Sequence, residues 1–255
     1  MNFEIIDFHT HPFVSEEDNL CQHKDVLNMT CDTTYFDMKD AGISKFCGSV
    51  IKKNTSDFSV IKNCNRDALK LRELYKGDYI PGFQITPNFI DDSIKEIDYA
   101  HQCGIKLIGE LVPYMHDWSD YSCKEFSLLL EHIEKYDMVV NIHTLELNQM
   151  ELMAKNHPRI NFVFAHPGEK TQVLNHIDIM KRLDNVFLDI SGTGILRYGV
   201  IKKLVTEVGA ERILFGTDYP IGNPSAYING VLGEKISDHE KEMIFSGNAK
   251  KLLKV

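Results

Sequence analysis

No stretch of the chain approaches the roughly 18 consecutive apolar residues that a membrane-spanning helix requires, and no basic segment followed by an apolar one stands at Met1 to Asp7. Membrane insertion and secretion are therefore disfavoured, and a cytoplasmic location is expected. Lysine and arginine never gather into a run that would track a phosphate backbone. With 37 acidic residues against 28 basic the formal net charge is −9, which argues against nucleic acid and leaves a small molecule as the expected partner. Cysteine is present without pattern: Cys21, Cys31, Cys47, Cys64, Cys103 and Cys123 include no CxxC pair. In a chain far larger than disulfide-stapled scaffolds they read as free thiols of a reducing compartment. Linkers, repeats and low-complexity tracts are also missing, so residues 1–255 are read as a single domain.

What the chain does contain is alternation. At 255 residues it has the length of one (β/α)8 barrel, and its 43% hydrophobic content is enough for a sizeable core. Eight β-like runs are legible: Phe3 to His11, Lys45 to Ile51, Ile80 to Thr86, Ile105 to Val112, Met138 to His143, Asn161 to His166, Val186 to Ile190 and Arg212 to Asp218. Helical spacing fills most gaps, at Asp57 to Tyr75, Asp91 to Cys103, Lys124 to Glu134, Leu145 to Asn156, Val173 to Leu183 and Tyr198 to Val208. Asp91, Asp92 and Ser122 are expected N-caps, and Asp238 to Leu253 a last helix. Strand alternating with helix predicts an α/β fold, a (β/α)8 TIM barrel. Residues 12–32, polar and poorly periodic, follow the first strand and so are the candidate active-site loop.

Several of these strands end in a side chain that can bind a metal or move a proton. Strand alternation puts Asp7, His9 and His11 on one face and Ile6, Phe8 and Thr10 on the other. Imidazoles two residues apart on one face can reach a single ion at roughly 2.0–2.1 Å per bond. HxH alone is a weak motif; position strengthens it, because His143 ends the fifth run, His166 the sixth and Asp218 the eighth. Asp218 at such a tip can bind a metal and also accept the proton of a water acidified by the ion. Gly216, two residues before it, leaves room inside.

These pieces, Ile6-Asp7-Phe8-His9-Thr10-His11, the strand-end His143, Phe164-Ala165-His166-Pro167-Gly168 and Leu214-Phe215-Gly216-Thr217-Asp218-Tyr219-Pro220, follow one another in the order of a known family. The chain resembles the amidohydrolase superfamily, within the branch of amidohydrolase-related hydrolases and aminocarboxymuconate-semialdehyde-type decarboxylases. The resemblance implies that His9, His11, His143 and Asp218 bind a divalent metal, zinc being the expected ion, and that His166 binds a second one or serves as acid and electrostatic helper. Glu110, at the tip of the fourth run, looks like the bridging carboxylate of two-metal members such as deoxyribonuclease-like hydrolases. Lys106, four residues earlier and deeper, is poorly placed to be the carbamylated lysine of others. One or two ions are thus expected, and a homodimer is a family-level expectation.

Among other residues, Tyr114, His116 and Arg197 are candidate substrate contacts, with Lys52 and Lys53 as further cations. Asp7 and Asp189 could each orient an imidazole, Asp7 being equally readable as a carboxylate satisfied within the barrel. His157 reads as structural, and His23, His101, His132, His176 and His239 as surface residues. The first functional reading is a metal-dependent hydrolase attacking an ester, lactone or amide carbonyl, with Asp218 as proton acceptor and Asp218 or His166 protonating the leaving group. A nonoxidative decarboxylase of a small conjugated or aromatic acid is the second. A catalytically inactive binding barrel is the third, disfavoured because no ligand position has been lost.

Overall fold

The computed structural model describes residues 3–53, 57–193, 195 and 197–255. Eight parallel strands are paired in sequence order: β1 Ile6–Thr10, β2 Lys45–Ser49, β3 Tyr79–Phe83, β4 Leu107–Leu111, β5 Val139–His143, β6 Asn161–Ala165, β7 Val186–Asp189 and β8 Ile213–Leu214. Seven of the predicted runs contain their strand whole, and the third, Ile80 to Thr86, misses only Tyr79 at the start of β3. The last strand returns to the first through Phe8 N–H to Phe215 O (2.8 Å), His11 N–H to Tyr219 O (2.7 Å) and Asp218 N–H to His9 O (2.8 Å), giving a single-domain (β/α)8 barrel.

The helices are α1 Cys31–Asp40, α2 Phe58–Leu74, α3 Ile90–Gln102, α4 Lys124–Ile133, α5 Leu147–Asn156, α6 Lys170–Arg182, α7 Val200–Val208, α8 Pro224–Gly233, α9 Asp238–Glu242 and α10 Asn248–Leu253. Two of them, α1 and α8, carry no legible period. Each is started by a cap instead: Thr30 and Thr33 form a reciprocal box before α1, and Asn223 accepts from Ala226 N before Pro224 opens α8. Two expected caps are corrected. Asp91 and Asp92 lie inside the first turn of α3, where they favour the positive end of the helix dipole, and Cys123 rather than Ser122 caps α4.

One apolar cluster draws a residue from every strand: Ile6 and Phe8, Cys47, Ile80, Leu107, Val139, Val163, Phe187 and Leu214. A cluster with that membership fills the barrel interior. Ala249, Leu252 and Leu253 of α10 join it, closing the end opposite the strand tips. A second, larger cluster lies between strands and helices, with Phe46, Phe83, Phe164 and Phe215 under the helix layer. Burying each such ring contributes roughly 1.5–3 kcal/mol. The alternation of β1 would place Asp7, His9 and His11 inward and Ile6 and Phe8 toward the helices, and the inner cluster corrects that direction. Ile6 and Phe8 face inward, and the register of β1 on β2 shifts between Asp7 and Thr10, which lets His9 turn its ring to the mouth nonetheless.

Candidate metal centre

His9 and His11 bring their Nε2 atoms to 3.2 Å of each other, and Asp218 Oδ1 stands 3.5 and 3.4 Å from the same two atoms. Opposite them, His143 Nδ1 and His166 Nε2 are also 3.2 Å apart. Glu110 lies between the two sets and divides its carboxylate: Oε2 is 3.2 Å from both His9 and His11, while Oε1 is 2.9 Å from His143 and 3.4 Å from His166. Six residues from five strand ends therefore converge on one volume. Their donor atoms fall into two groups of ligand spacing, His9–His11–Asp218 and Glu110–His143–His166.

The donor set fits divalent cations on three counts. Ligands at 2.0–2.1 Å in tetrahedral array stand roughly 3.3 Å apart, which is the spacing found here. The rings are also held from behind, since His11 Nδ1–H donates to Ser49 O (3.1 Å), and His9 Nδ1 faces Asp189 Oδ2 (3.0 Å) and Ser191 Oγ (3.1 Å). With the proton on Nδ1, both Nε2 lone pairs point into the same small space and require positive charge between them. Finally, the buried carboxylates of Glu110, Asp189 and Asp218 have, among the described residues, only histidines as ion-pair partners. A third possible grouping, His9, His166 and Asp189, sits on the Nδ1 side, where the Ser191 hydroxyl already bonds all three.

Electrostatics follow from this crowding. Burial opposes charge on the His9 ring, yet the facing Glu110 and Asp189 carboxylates outweigh it and hold its pKa well above 6.5. His11 is pushed up to about 9 against the same burial by its bonds to Asp218 and Glu110, and His166 is raised as well. Burial alone would raise Glu110; the surrounding imidazoles, His9 foremost, hold it well below the usual carboxylate range.

Local backbone supports the tips. His166 and Asp218 take positive φ of 68° and 59°, a left-handed conformation that costs a non-glycine residue of order 1–3 kcal/mol and gathers at functional sites. Gly192 at φ 68° makes room for His166, since a Cβ there would lie 2.5 Å from its Nδ1. Gly216 acts as expected: a Cβ there would lie 2.9 Å from His9 Cβ.

Two cavities open beside these residues. The larger, about 670 Å³, is lined by His143, His166, Asp218 and Arg197, with Arg197 bonded to Glu169 at 2.7 Å. The smaller, about 170 Å³, holds Tyr114, whose ring meets His143 edge-on at 5.4 Å, and Leu20 from the loop of residues 12–32. His116, expected at the mouth, lines neither cavity; it is buried, and burial lowers its pKa to about 4. Lys52 pairs instead with Asp18, and Lys53 is exposed. The stretch Ile195 to Tyr198, which with residues 12–32 is expected from the sequence to shape the mouth, includes Leu196, which lies outside the described residues.

Other expectations are settled by contacts. Asp7 orients no imidazole: it accepts from Thr217 Oγ1 (2.5 Å), Thr217 N (3.1 Å) and His9 N (3.0 Å), and burial raises its pKa to about 7. Asp189 does hold the His9 ring. His157 is structural, bonded to Ser127 and Glu134. His176 is fully buried rather than a surface residue, because the helix face that carries it packs on Phe164. Lys106 bonds Asp137 O near the start of β4, far below Glu110.

Three contributors were missed. Ser191 bonds His9, His166 and Asp189; Asn141 donates to Asp189 Oδ2 (3.2 Å); Gln84 donates to Glu110 O (2.5 Å) and Ser49 Oγ (2.6 Å). Ser191, two residues past Asp189, was within reach of the period-two rule. Gln84 stands alone at its strand end, and nothing in its neighbours marks it.

No curated protein matches the chain in sequence. In structure it is similar to 5-carboxyvanillate decarboxylase from Novosphingobium aromaticivorans, a variant with bound manganese and 3-methoxy-4-hydroxy-5-nitrobenzoic acid (TM-score 0.80, 13% identity, 99% of this chain and 97% of that one). It is likewise similar to 2,6-dihydroxybenzoate decarboxylase from Rhizobium (TM-score 0.76, 14% identity, 99% of each chain) and to a TIM-barrel protein from Bordetella bronchiseptica (TM-score 0.77, 18% identity, 98% of each chain). Likeness at such identities establishes the barrel alone. The sequence profile described as Amidohydrolase matches residues 6–255, essentially the whole chain, and so this protein belongs to the amidohydrolase family.

Proposed function

We propose that this protein is a metal-dependent hydrolase of small molecules whose centre takes two divalent cations, His9, His11 and Asp218 holding one and His143 and His166 the other, with Glu110 between them. The observation that carries this reading is the division of the Glu110 carboxylate, one oxygen toward each histidine pair. Cations bound there would lower the pKa of water toward neutrality and polarise the group under attack. Asp218, at the mouth, accepts the proton of the attacking water and returns it to the leaving atom. Asp189 and Ser191 hold the His9 ring from behind, and Ser49 holds His11, so that the pocket is formed before substrate arrives. The imidazole-rich set suits zinc; the manganese of the carboxyvanillate decarboxylase makes that ion the natural competitor.

A second reading has its own support. The solved structures that this barrel resembles include decarboxylases of hydroxylated benzoates, and those comparisons favour nonoxidative decarboxylation of an aromatic acid over hydrolysis. A panel of esters, lactones, amides and hydroxybenzoates, followed both for acid release and for carbon dioxide, separates the two. Acid release without carbon dioxide, reduced on the order of 10²–10⁴-fold in Asp218→Asn with the far-ultraviolet circular dichroism unchanged, is the expected result. Carbon dioxide release from a benzoate would replace hydrolysis by decarboxylation.

A further inference from the structure

The two cavities at the mouth share one wall and differ everywhere else. His143, His166, Asp218 and Ile221 line both. The smaller cavity is floored by His11 and Glu110 of the metal centre, and away from these and the common wall it runs against Leu20, Ile51, Val112, Tyr114 and Met115, a side on which the Tyr114 hydroxyl is the one polar side-chain group. The larger runs the other way, against Thr144, Glu169, Gln172, Thr193 and Arg197. Ile221, 45% exposed, is the apolar member of the common wall.

Size and charge assign each cavity an occupant. A complete small-molecule site is roughly 300–1,000 Å³, so 170 Å³ is a compartment for a fragment, with space for roughly five or six water-sized groups. The larger cavity, about 670 Å³, has room for the remainder of a small molecule. Among the described residues lining the two, Arg197 is the single lysine or arginine. Its partner Glu169 and Arg197 itself have side chains 59% and 63% exposed, and such a surface pair is worth roughly 0–1 kcal/mol. A ligand carboxylate can therefore take over the guanidinium fork at little cost.

We infer, resting on the hydrolytic reading above, that the substrate is an ester or amide joining two unlike arms: a short apolar acyl arm in the smaller cavity and an anionic arm against Arg197 in the larger. The scissile bond lies at the shared wall. The oxygen of water adds to the acyl carbon, the bond from that carbon to the ester oxygen or amide nitrogen breaks, and the proton of the water ends on the leaving atom. The products are a short fatty acid and an anionic alcohol or amine.

Four esters test this on the zinc-loaded protein: butanoyl and octanoyl groups, each on glycolate and on neutral glycolamide. Butanoyl glycolate should exceed butanoyl glycolamide and octanoyl glycolate in kcat/KM by about tenfold each, the scale of one charge-assisted contact. Arg197→Ala should erase the preference for glycolate mainly through KM, and Leu20→Ala should raise octanoyl relative to butanoyl turnover. Hydrolysis without these preferences, or a glycolate preference that survives Arg197→Ala, overturns the two-arm assignment while leaving hydrolysis standing. If none of the four is turned over, hydrolysis itself fails for this class, and calorimetry with butanoate and glycolate decides the compartments. Simultaneous binding, with glycolate alone lost in Arg197→Ala, supports them; mutual competition or no binding overturns them.

Discussion

The hydroxyl of Ser191 stands 3.0 Å from Nδ1 of His166 while also lying 3.1 Å from Nδ1 of His9. One side chain at the end of β7 thereby sets the ring orientation of a histidine in each candidate cation set, with Asp189 receiving its proton. Ser191→Ala should weaken both metal equivalents together, by about 10–100-fold each, as loss of such a support does. Competition against a chromogenic chelator reads this directly. Weakening of one equivalent alone would show that the hydroxyl serves a single set.

Glu110→Gln preserves size and removes the charge that both sets face. The metal content measured by mass spectrometry after dialysis should fall from two equivalents to one. A count that stays at two would mean that Glu110 does not join the sets.

Gly216→Ala tests how tightly the mouth is packed. The added methyl would lie 2.9 Å from His9 Cβ and 3.3 Å from Ser191 Cβ, neither of which is the free end of a long side chain. A loss of about 1–3 kcal/mol in urea unfolding is expected from such overpacking, with weaker metal binding alongside. Unchanged stability would show that β1 can shift.

Acid should destabilise the fold through two histidines outside the centre. Burial lowers His116 and His176 from 6.5 to about 4, so the unfolded chain takes up protons there before the folded one does. Stability supplied by their neutral forms is complete above 6.5 and is lost as pH falls toward 4, by up to about 1.4 kcal/mol per pH unit per group. Urea midpoints at pH 7 and pH 5 measure the slope, and His176→Leu should flatten it, since the substitution removes one of the two buried titrating rings. An equal slope in wild type and variant would remove His176 from the account.

The barrel was legible because its strands are short apolar runs between amphipathic helices, a pattern set by burial on both faces. His143 and Asp218 were legible for the same reason, as polar groups closing apolar runs. The orientation of Asp7 was not, because alternation assumes a regular strand and β1 shifts register between Asp7 and Thr10. His176 misled because the face of a helix that meets a barrel is fixed by neighbours absent from any local window. Gln84 acts through hydrogen bonds to neighbouring strands, of which a one-dimensional pattern carries no trace, whereas Ser191 follows Asp189 at the strand period of two.

His9 and Asp218 sit on the first and last segments of the barrel, and the bond from Asp218 N–H to His9 O joins the edges that close it. Ligands roughly two hundred residues apart in sequence are thus neighbours only when the ring is complete. An ion shared by them would act as a rivet across this seam, binding the closed form and not the opened one, so that loading and resistance to unfolding rise together with ion concentration.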